Sequence, residues 1–296
     1  MNKVKVLVTG ATGFVGTHLM PKVLNFEYKV VVRKLSEYHQ PEKQIVYDKK
    51  NMVRFSSEIE EFNPEIVIHL ASYLTSLDDL ENIEKIVDSN ILFTSYLLKA
   101  LENTSLKLFI NTGTFAEFYL NHEVENPAYF YAASKIAVKP IIKYFQNLLE
   151  FKLIHVIPYT IYGGKSKSKK VIDYLLDSTK HDAPVDMTDG NQILDFIHIE
   201  DVVNFYLTCL KNHNLIKDHE NYYLGTGIGT SIKELATLIE NETRLKANIN
   251  WGKREYRPLD IMEAVAPVSK NSTHLAWKPE ISIQQGIRML LKSEKS

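Results

Sequence analysis

A tyrosine and a lysine stand four residues apart in the segment Tyr131-Ala132-Ala133-Ser134-Lys135. On a helix, residues four apart share a face, so the phenol of Tyr131 and the ammonium of Lys135 would lie together. A tyrosine ordinarily titrates at about pH 10, and a nearby cation favours the phenolate. We therefore expect Lys135 to lower the pKa of Tyr131, giving a group that transfers protons near neutrality. Taken alone, such a pair is also typical of an ordinary helix surface.

A threonine at the end of a predicted strand supplies a hydroxyl that could join this pair. The segment is Ile110-Asn111-Thr112-Gly113-Thr114. In a doubly wound sheet the carboxyl ends of the strands face the ligand crevice, so Thr112 would lie opposite the helix that carries the tyrosine. Its hydroxyl could bind a carbonyl or alcohol oxygen of a substrate, and we expect Thr114 to contact the substrate too. The alternative for Thr112 is a threonine that serves a turn.

Three glycines at three-residue spacing follow the first predicted strand and open a helix. Gly10 permits a tight turn, Gly13 admits a pyrophosphate, and Gly16 lets the helix pack closely on the strand. The free N–H groups and positive dipole of the helix start favour phosphates. We expect the whole loop to surround a dinucleotide, with Thr12, Phe14 and Val15 beside the glycines. The alternative is a purely structural turn.

Residues near the ends of the next two strands bear on the choice of dinucleotide. The second strand runs directly into Arg33 and Lys34. A carboxylate there would hold the ribose 2′-hydroxyl of NAD, whereas two cations suit the 2′-phosphate of NADP. We therefore predict NADP, the alternative being a solvated strand end. Asp48, just past the third strand, either accepts from the adenine amino group or begins a helix as its N-cap.

The elements that position these residues alternate strand and helix in the first half of the chain. Continuous apolar strands between amphipathic helices predict an α/β fold with a doubly wound parallel sheet of the Rossmann type. The predicted strands are 4–8, 29–32, 45–47, 66–70, 106–110 and 153–157, and the helices 14–25, 52–61, 80–103, 130–150 and 169–179.

After about residue 158 the alternation breaks and predicts a smaller α/β cap. We expect residues 1–160 to form a cofactor-binding domain that also recruits segments from about 190–225. Residues 161–296 would mainly form the substrate-binding cap. The predicted cap elements are strands 185–187, 193–197 and 221–224 and helices 200–212, 231–244 and 282–293.

Composition excludes several classes of protein. The 296 residues hold 35 Lys and Arg against 36 Asp and Glu, so neither nucleic acid nor an anionic membrane is expected as partner. One cysteine leaves no intramolecular disulfide and no multi-cysteine metal site, and the histidines show no metal spacing. The sequence contains no run of about 18 apolar residues, so no membrane span is predicted. We expect a cytoplasmic protein without a metal.

The chain carries a glycine loop, then a threonine at a strand end, then Tyr-x-x-x-Lys. In this order and spacing the chain resembles the extended short-chain dehydrogenase/reductase family over nearly its whole length. The resemblance implies Thr112, Tyr131 and Lys135 as the catalytic set. It also places Leu70, Ala71 and Ser72, at the end of the fourth strand, beside the cofactor. Further segments that resemble the nucleotide-sugar branch are Asn90, Tyr162-Gly163, Asp195–Val202, Tyr223–Gly227, Ser231–Leu235 and Arg257–Asp260.

Within that branch the resemblance implies a substrate contact and excludes one activity. It implies that Arg257 meets the diphosphate of a nucleotide sugar. Family dehydratases follow the threonine with an Asp-Glu pair, but here Gly113 and Thr114 stand in those places, which argues against 4,6-dehydratase activity. Leu194 and Ile157 replace frequent family arginines, so those nucleotide contacts are not expected.

Two enzymatic functions and one binding function remain. In the first, NADPH reduces a carbonyl of a nucleotide-linked sugar for cell-surface polysaccharide. The segment Asn111–Phe115 and the Tyr-Ala-Ala-Ser-Lys helix are similar to the CDP-abequose and CDP-paratose synthase-type reductases, which suggests a CDP-linked 4-keto sugar. In the second, a retained NAD serves a 4-epimerase. A non-catalytic cofactor-sensing protein is the third, and the intact Tyr131 and Lys135 disfavour it.

Relatives commonly dimerise through helices equivalent to 80–103 and 130–150, so we expect a homodimer.

Overall fold

The computed structural model describes residues 3–120, 123–166, 168–180, 182–218 and 220–293. The strands in these ranges are β1 (Lys5–Thr9), β2 (Glu27–Val32), β3 (Gln44–Val46), β4 (Ile66–His69), β5 (Leu108–Thr112), β6 (Lys152–Pro158), β7 (Thr160–Tyr162), β8 (Val185–Asp186), β9 (Ile193–His198), β10 (Glu220–Leu224), β11 (Gly229–Ser231), β12 (Ile249–Asn250) and β13 (Glu263–Ala264). The helices are α1 (Phe14–Leu19), α2 (Met52–Phe62), α3 (Leu80–Ile86), α4 (Phe93–Ala100), α5 (Phe130–Leu149), α6 (Val171–Ser178), α7 (Ile199–Lys211), α8 (Ile232–Thr243) and α9 (Ile283–Ser293).

Seven parallel strands form the main sheet in the order β10-β6-β5-β4-β1-β2-β3. In the middle of the sheet Val8 of β1 pairs with Val30 of β2 on one side and with Ile68 of β4 on the other. The chain order reverses between β1 and β4, which is the switch point where a doubly wound sheet opens its ligand crevice. The predicted Rossmann-type fold is confirmed.

Helices cover both faces of this sheet, which is why its strands are apolar throughout. Each face of the sheet has its own hydrophobic core, and alternate residues of β1 pack into one or the other. Val6 and Val8 lie in the first core and Leu7 lies in the second, all fully buried. The first core also contains residues of α1 and α7, and the second contains residues of α2, α4 and α5. Burial on two faces fixes the strand ends, and with them the residues that follow the strands.

A smaller unit is built mostly from the carboxyl-terminal half of the chain. Strand β9 pairs with β7, β11 and β13, and a separate core joins α6, α8 and α9 around Phe196. Strand β10 belongs instead to the main sheet, where it pairs with β6. The buried carboxylate of Asp195 accepts hydrogen bonds from Thr226, Gly227 and the backbone of Ala266, which ties three segments of this unit together.

Several element boundaries differ from the sequence prediction for identifiable reasons. Helix α1 ends at Leu19 and gives way to a 3-10 turn over Met20–Lys22, because Pro21 has no N–H to continue an α-helix. The predicted helix 80–103 is α3 and α4 joined by a π-helical turn over Val87–Leu92. Strand β5 lies two residues later than predicted, because its pairing with β6 continues to Thr112 and Val156. Within the described ranges, no helix has the length and apolar content that crossing a membrane requires.

Candidate active site

The glycine turn after β1 accepts no other residue at two of its positions. Gly10 has φ +70°, and a Cβ there would lie 2.6 Å from the backbone nitrogen of Ala71. A Cβ on Gly16 would overlap the carbonyl oxygen of Gly10. The N-cap of α1 is Gly13, which has no side chain to satisfy the first N–H groups of the helix. The turn therefore presents backbone donors at close range, as a phosphate requires.

A cleft of about 1220 Å³ runs from this turn to the end of β2. The predicted cofactor residues that line it are Gly10, Thr12, Gly13, Arg33, Lys34, Leu70, Ala71 and Ser72. Arg33 and Lys34 are exposed, and Glu37 and Asp88 also line the cleft, so its charge is mixed. A glycine cradle at one end and cations at the other fit a dinucleotide.

Six predicted cofactor residues are not among those that line the cleft: Phe14, Val15, Gly16, Asp48, Tyr131 and Lys135. The ring of Phe14 lies 3.1 Å from the Nζ of Lys170, and Val15 packs on the first core. Asp48 is exposed, and its carboxylate accepts from the backbone N–H of Lys50 at 2.9 Å. The alternative that Asp48 begins a helix as its N-cap is wrong. The N-cap of α2 is Asn51, because the turn over Asp48 delays the start of the helix.

Tyr131 and the end of β4 meet through a buried hydrogen-bond network. The Tyr131 side chain is hydrogen-bonded to Ser72, whose hydroxyl also donates to the amide oxygen of Asn90 at 3.2 Å. The amide nitrogen of Asn90 donates to Ser134 at 2.9 Å, and Ser134 donates to the carbonyl of Tyr131 at 2.6 Å. Asn90 lies in the π-helical turn, which brings its amide between β4 and α5. The network fixes the first turn of α5 against the cofactor cleft.

Lys135 ties the same helix to the end of β5. Its buried ammonium donates to the carbonyl oxygen of Thr112 at 2.9 Å and lies 6.0 Å from the centre of the Tyr131 ring. Burial lowers the pKa of Lys135 to about 8. The structure thus brings together the threonine, tyrosine and lysine that the sequence singled out.

The pKa of Tyr131 moves opposite to the expected direction. Burial raises it to about 12, the Ser72 hydrogen bond lowers it, and the charge of Glu117 raises it further. The Lys135 ammonium donates to the Thr112 carbonyl rather than to the phenol, and burial is the largest cause of the raised pKa of Tyr131. In this state the phenol holds its proton.

The two threonines of the β5 end make different contacts. The hydroxyl of Thr112 shares a hydrogen bond of 2.9 Å with the phenol of Tyr206, a buried residue of α7. A hydroxyl has one proton and two lone pairs, so this bond leaves Thr112 capacity for another partner. Thr114 is buried, and its side chain caps a 3-10 turn over Phe115–Glu117.

Arg257 lies at the start of the tyrosine helix. Its guanidinium is 5.4 Å from the centre of the Tyr129 ring and 3.1 Å from the carboxylate of Asp260. Its side chain is about half exposed. A cation on the ring of Tyr129, two residues before Tyr131, is placed where it could meet a charged part of a substrate.

Comparison with known proteins identifies the family. Residues 6–225 match the model of the NAD dependent epimerase/dehydratase family. The chain belongs to this family. It is 30% identical over 305 residues to the CDP-abequose synthase of Salmonella typhimurium, covering 97% of each chain. It is 27% identical to the UDP-glucuronate 4-epimerase of Thermodesulfobacterium geofontis, covering 98% of this chain and 95% of the other.

Solved structures of this family share the fold. The UDP-glucose 4-epimerase of Thermus thermophilus, in complex with NAD, superposes with a TM-score of 0.83 over 99% of both chains at 20% identity. The resemblance to the extended short-chain dehydrogenase/reductases is confirmed, and the chain is an NAD(P)-dependent oxidoreductase-type enzyme. In such an enzyme a bound dinucleotide supplies or accepts a hydride. The side chains around the crevice bind and orient the reactants and transfer the proton that accompanies the hydride.

The structure adds three residues to the neighbourhood of this family's site that sequence reasoning missed. They are His69, Tyr206 and Glu117. Tyr206 is hydrogen-bonded to Thr112, and the fully buried carboxylate of Glu117 accepts from the Thr114 N–H. The spacing Thr114-x-x-Glu117 is that of a capping box and could have identified the last of them.

His69 lies on β4 between two threonine hydroxyls. Thr94 donates to the Asn90 carbonyl, so it accepts from Nε2 of His69, at 2.9 Å. The Thr94 bond thus places the proton on Nε2. Burial keeps the ring neutral, so with its one proton on Nε2 the Nδ1 atom accepts from the hydroxyl of Thr9, at 2.8 Å, and that hydroxyl also accepts from the Ala71 N–H. Burial and the charge of Lys135 lower the pKa of His69 to about 3.

Proposed function

We propose that the chain is an NADPH-dependent reductase that reduces a carbonyl of a nucleotide-linked sugar, with a CDP-linked 4-keto sugar as substrate. Such a reaction would serve cytoplasmic synthesis of sugars for cell-surface polysaccharide. The observation that carries the proposal is the protonated, buried phenol of Tyr131, which is hydrogen-bonded to Ser72 in the lining of the glycine-turn cleft. A phenol that holds its proton is ready to donate it, which is what reduction of a carbonyl needs.

Each residue of the site has its own role in the proposed reduction. A reduced dinucleotide bound in the cleft would supply a hydride, which is two electrons and one proton, to the carbonyl carbon. The C=O double bond becomes a single bond, and Tyr131 donates its proton to the new alkoxide. Thr112 polarises the carbonyl through its hydroxyl, Lys135 holds the nicotinamide ribose, and Thr114 and Arg257 contribute to substrate binding. The phenolate recovers its proton from solvent.

Arg33 and Lys34 support the choice of NADP. They follow β2 directly and line the cleft, with no carboxylate at the strand end itself. Two guanidinium or ammonium groups favour a 2′-phosphate by charge-assisted hydrogen bonds. Glu37 lies further along the same loop, and Arg33 is the residue we expect to carry most of the discrimination.

The CDP-abequose synthases among the relatives support a CDP-linked substrate, and the family's 4-epimerases favour a second candidate. A 4-epimerase would retain NAD, remove hydride from C4 and return it to the other face. Thr112, Tyr131 and Lys135 suit both reactions, but oxidation begins with a phenolate and reduction with a phenol. The raised pKa of Tyr131 favours reduction.

We further propose a homodimer and a division of labour within the chain. The exposed apolar residues Tyr144 and Leu148 on α5 support dimerisation through this helix and the α3–α4 segment. Residues 1–160, with segments from 190–225, would bind the cofactor, and residues 161–296 would mainly bind the nucleotide sugar. Light scattering of Tyr144→Lys and of the unaltered chain tests the dimer.

Two measurements on the purified chain test the reductase. Nicotinamide absorbance follows NADPH when a CDP-linked 4-keto-dideoxyhexose is added, and heat-released nucleotide is analysed in parallel. A reductase consumes one NADPH per carbonyl reduced and needs added cofactor. Epimerisation of a CDP- or UDP-sugar by protein with retained NAD, without net oxidation, would overturn the proposal in favour of the second candidate.

A further inference from the structure

Glu117 folds back over Gly113 at the end of β5. Its carboxylate accepts from the backbone N–H of Thr114 at 2.8 Å, within the capping box of the 3-10 turn. A Cβ on Gly113 would collide with Oε1 of Glu117, so the carboxylate fills the space that a side chain at this position would take. The glycine and the glutamate together place a fully buried anion beside the residue that follows Thr112.

Lys139 partly compensates this anion. Its ammonium pairs with Oε2 of Glu117 on the inner side and with Glu125 at 2.6 Å on the outer side. Tyr131, Lys135 and Lys139 succeed one another at four-residue spacing along α5, so they share one face of the helix. The anion therefore lies beside the row of residues that carries the catalytic pair.

Glu117 is the carboxylate whose charge acts on both members of the pair. The charge of Glu117 raises the pKa of Tyr131, of Lys135 and of Tyr223. Two more carboxylates are each held by a cation of this neighbourhood, Asp260 by Arg257 and Glu125 by Lys139, and the other groups that face the pair are neutral or cationic. They are Ser72 and His69 from the β4 end, Tyr129 with Arg257 on its ring, Tyr206 from α7, Tyr223 from β10 and Lys139.

We propose that Glu117 is a positioning residue of the active site, whose buried carboxylate keeps the phenol of Tyr131 protonated and the ammonium of Lys135 charged before hydride transfer. The proposal deepens the proposed function and rests on it for the direction of the reaction. A negative charge disfavours a phenolate and favours an ammonium, so one carboxylate acts on both residues in the sense that reduction requires. Lys139 limits the effect and makes burial of the carboxylate tolerable.

The pKa of Lys135 can be measured without any substrate, by NMR titration of the chain with 13C-labelled lysine side chains. The resonance of Lys135 is assigned by its loss in Lys135→Met. In Glu117→Gln the amide keeps the contact with the Thr114 N–H but not the charge, and we expect the pKa of Lys135 to fall by about one pH unit. In Lys139→Gln the carboxylate is uncompensated, and we expect that pKa to rise by a similar amount.

Two further variants keep the test decisive if Lys139→Gln does not fold. The double variant Glu117→Gln with Lys139→Gln removes both buried charges and should return the pKa of Lys135 to within about half a pH unit of its original value. Glu125→Gln alters only the outer partner of Lys139 and should leave it nearly unchanged. A merely structural Glu117 would change the unfolding midpoint in Glu117→Gln but not the pKa of Lys135, which would overturn the proposal.

A pH profile of NADPH oxidation then connects the charge to turnover. The alkaline limb should move to lower pH in Glu117→Gln, because loss of the carboxylate lowers the pKa of both Tyr131 and Lys135. An unmoved limb, together with an unmoved Lys135 resonance, contradicts the role of Glu117. If the unaltered chain fails to oxidise NADPH while the resonance moves as expected, the charge coupling stands and the reductase proposal fails.

Discussion

Lys135 directs its ammonium to the backbone of Thr112, donating to the carbonyl oxygen at 2.9 Å, rather than to the phenol of Tyr131. The bond links the middle of the sheet to the helix that carries the tyrosine, so the three catalytic candidates move as one unit. Burial, rather than this bond, is the main reason that Tyr131 keeps its proton. In this structure Lys135 therefore links the end of β5 to α5.

Lys135→Met should lower kcat by about 100-fold or more while the chain remains folded, because an apolar side chain of similar length fills the space without the charge. Steady-state turnover and the unfolding midpoint measure the two effects. Since the ammonium has a pKa of about 8, activity of the unaltered chain should fall as the pH rises above about 8.

Lys143→Met provides the control for this variant. Lys143 is exposed two turns further along α5, and its replacement should leave both turnover and the pH profile unchanged. Equal losses in the two variants would mean that the catalytic role of Lys135 is wrong.

Arg33→Ala should weaken NADPH binding by about tenfold or more and NADH binding by less than about twofold, because only NADPH carries the 2′-phosphate. Titration calorimetry with both dinucleotides gives the ratio. Arg54→Ala, which removes an exposed arginine of α2, should change neither affinity. An equal loss for both dinucleotides in Arg33→Ala would remove the case for NADP.

His69 should make the chain sensitive to acid. The unfolded histidine gains a proton below about pH 6.5, whereas the folded one, with a pKa of about 3, does not. The free energy of unfolding therefore falls as the pH drops below about 6.5. Between pH 7 and pH 5 this residue alone should lower it by about 2 kcal/mol.

Urea unfolding of the unaltered chain and of His69→Asn isolates this contribution. The stability difference between the two should shift by about 2 kcal/mol from pH 7 to pH 5, and stay constant from pH 7 to pH 8, where His69 is neutral in both states. Parallel pH dependences at acid pH would show that His69 titrates normally in the folded chain.

The main sheet and the proximity of Thr112, Tyr131 and Lys135 could be predicted from the sequence because each rests on a local pattern. The apolar runs that became β1 and β4 are buried on both faces, so no other periodicity competed with them. Likewise, Tyr131 and Lys135 lie on one helix, where spacing alone determines the shared face. The short strands β11 and β13 were missed, because two or three residues are too few to show a period.

The charge balance of the site could not be predicted from spacing. The direction of the Tyr131 pKa depends on burial and on a carboxylate that reaches it from a different turn. Whether Lys135 turns to the phenol or to the Thr112 carbonyl depends on where β5 ends, which only pairing with β6 fixes. Tyr206 comes to Thr112 from α7, 94 residues away in sequence, and no local pattern indicates that contact.

The central claim, that Tyr131 donates the proton during hydride transfer, is tested most directly by single-turnover kinetics of Tyr131→Phe with NADPH and a CDP-linked 4-keto-dideoxyhexose. The ring keeps its place in the buried first turn of α5, so the Kd for NADPH should change by less than about twofold while the rate of reduction falls by about 100-fold or more. A rate near that of the unaltered chain, at equal cofactor occupancy, would contradict the account.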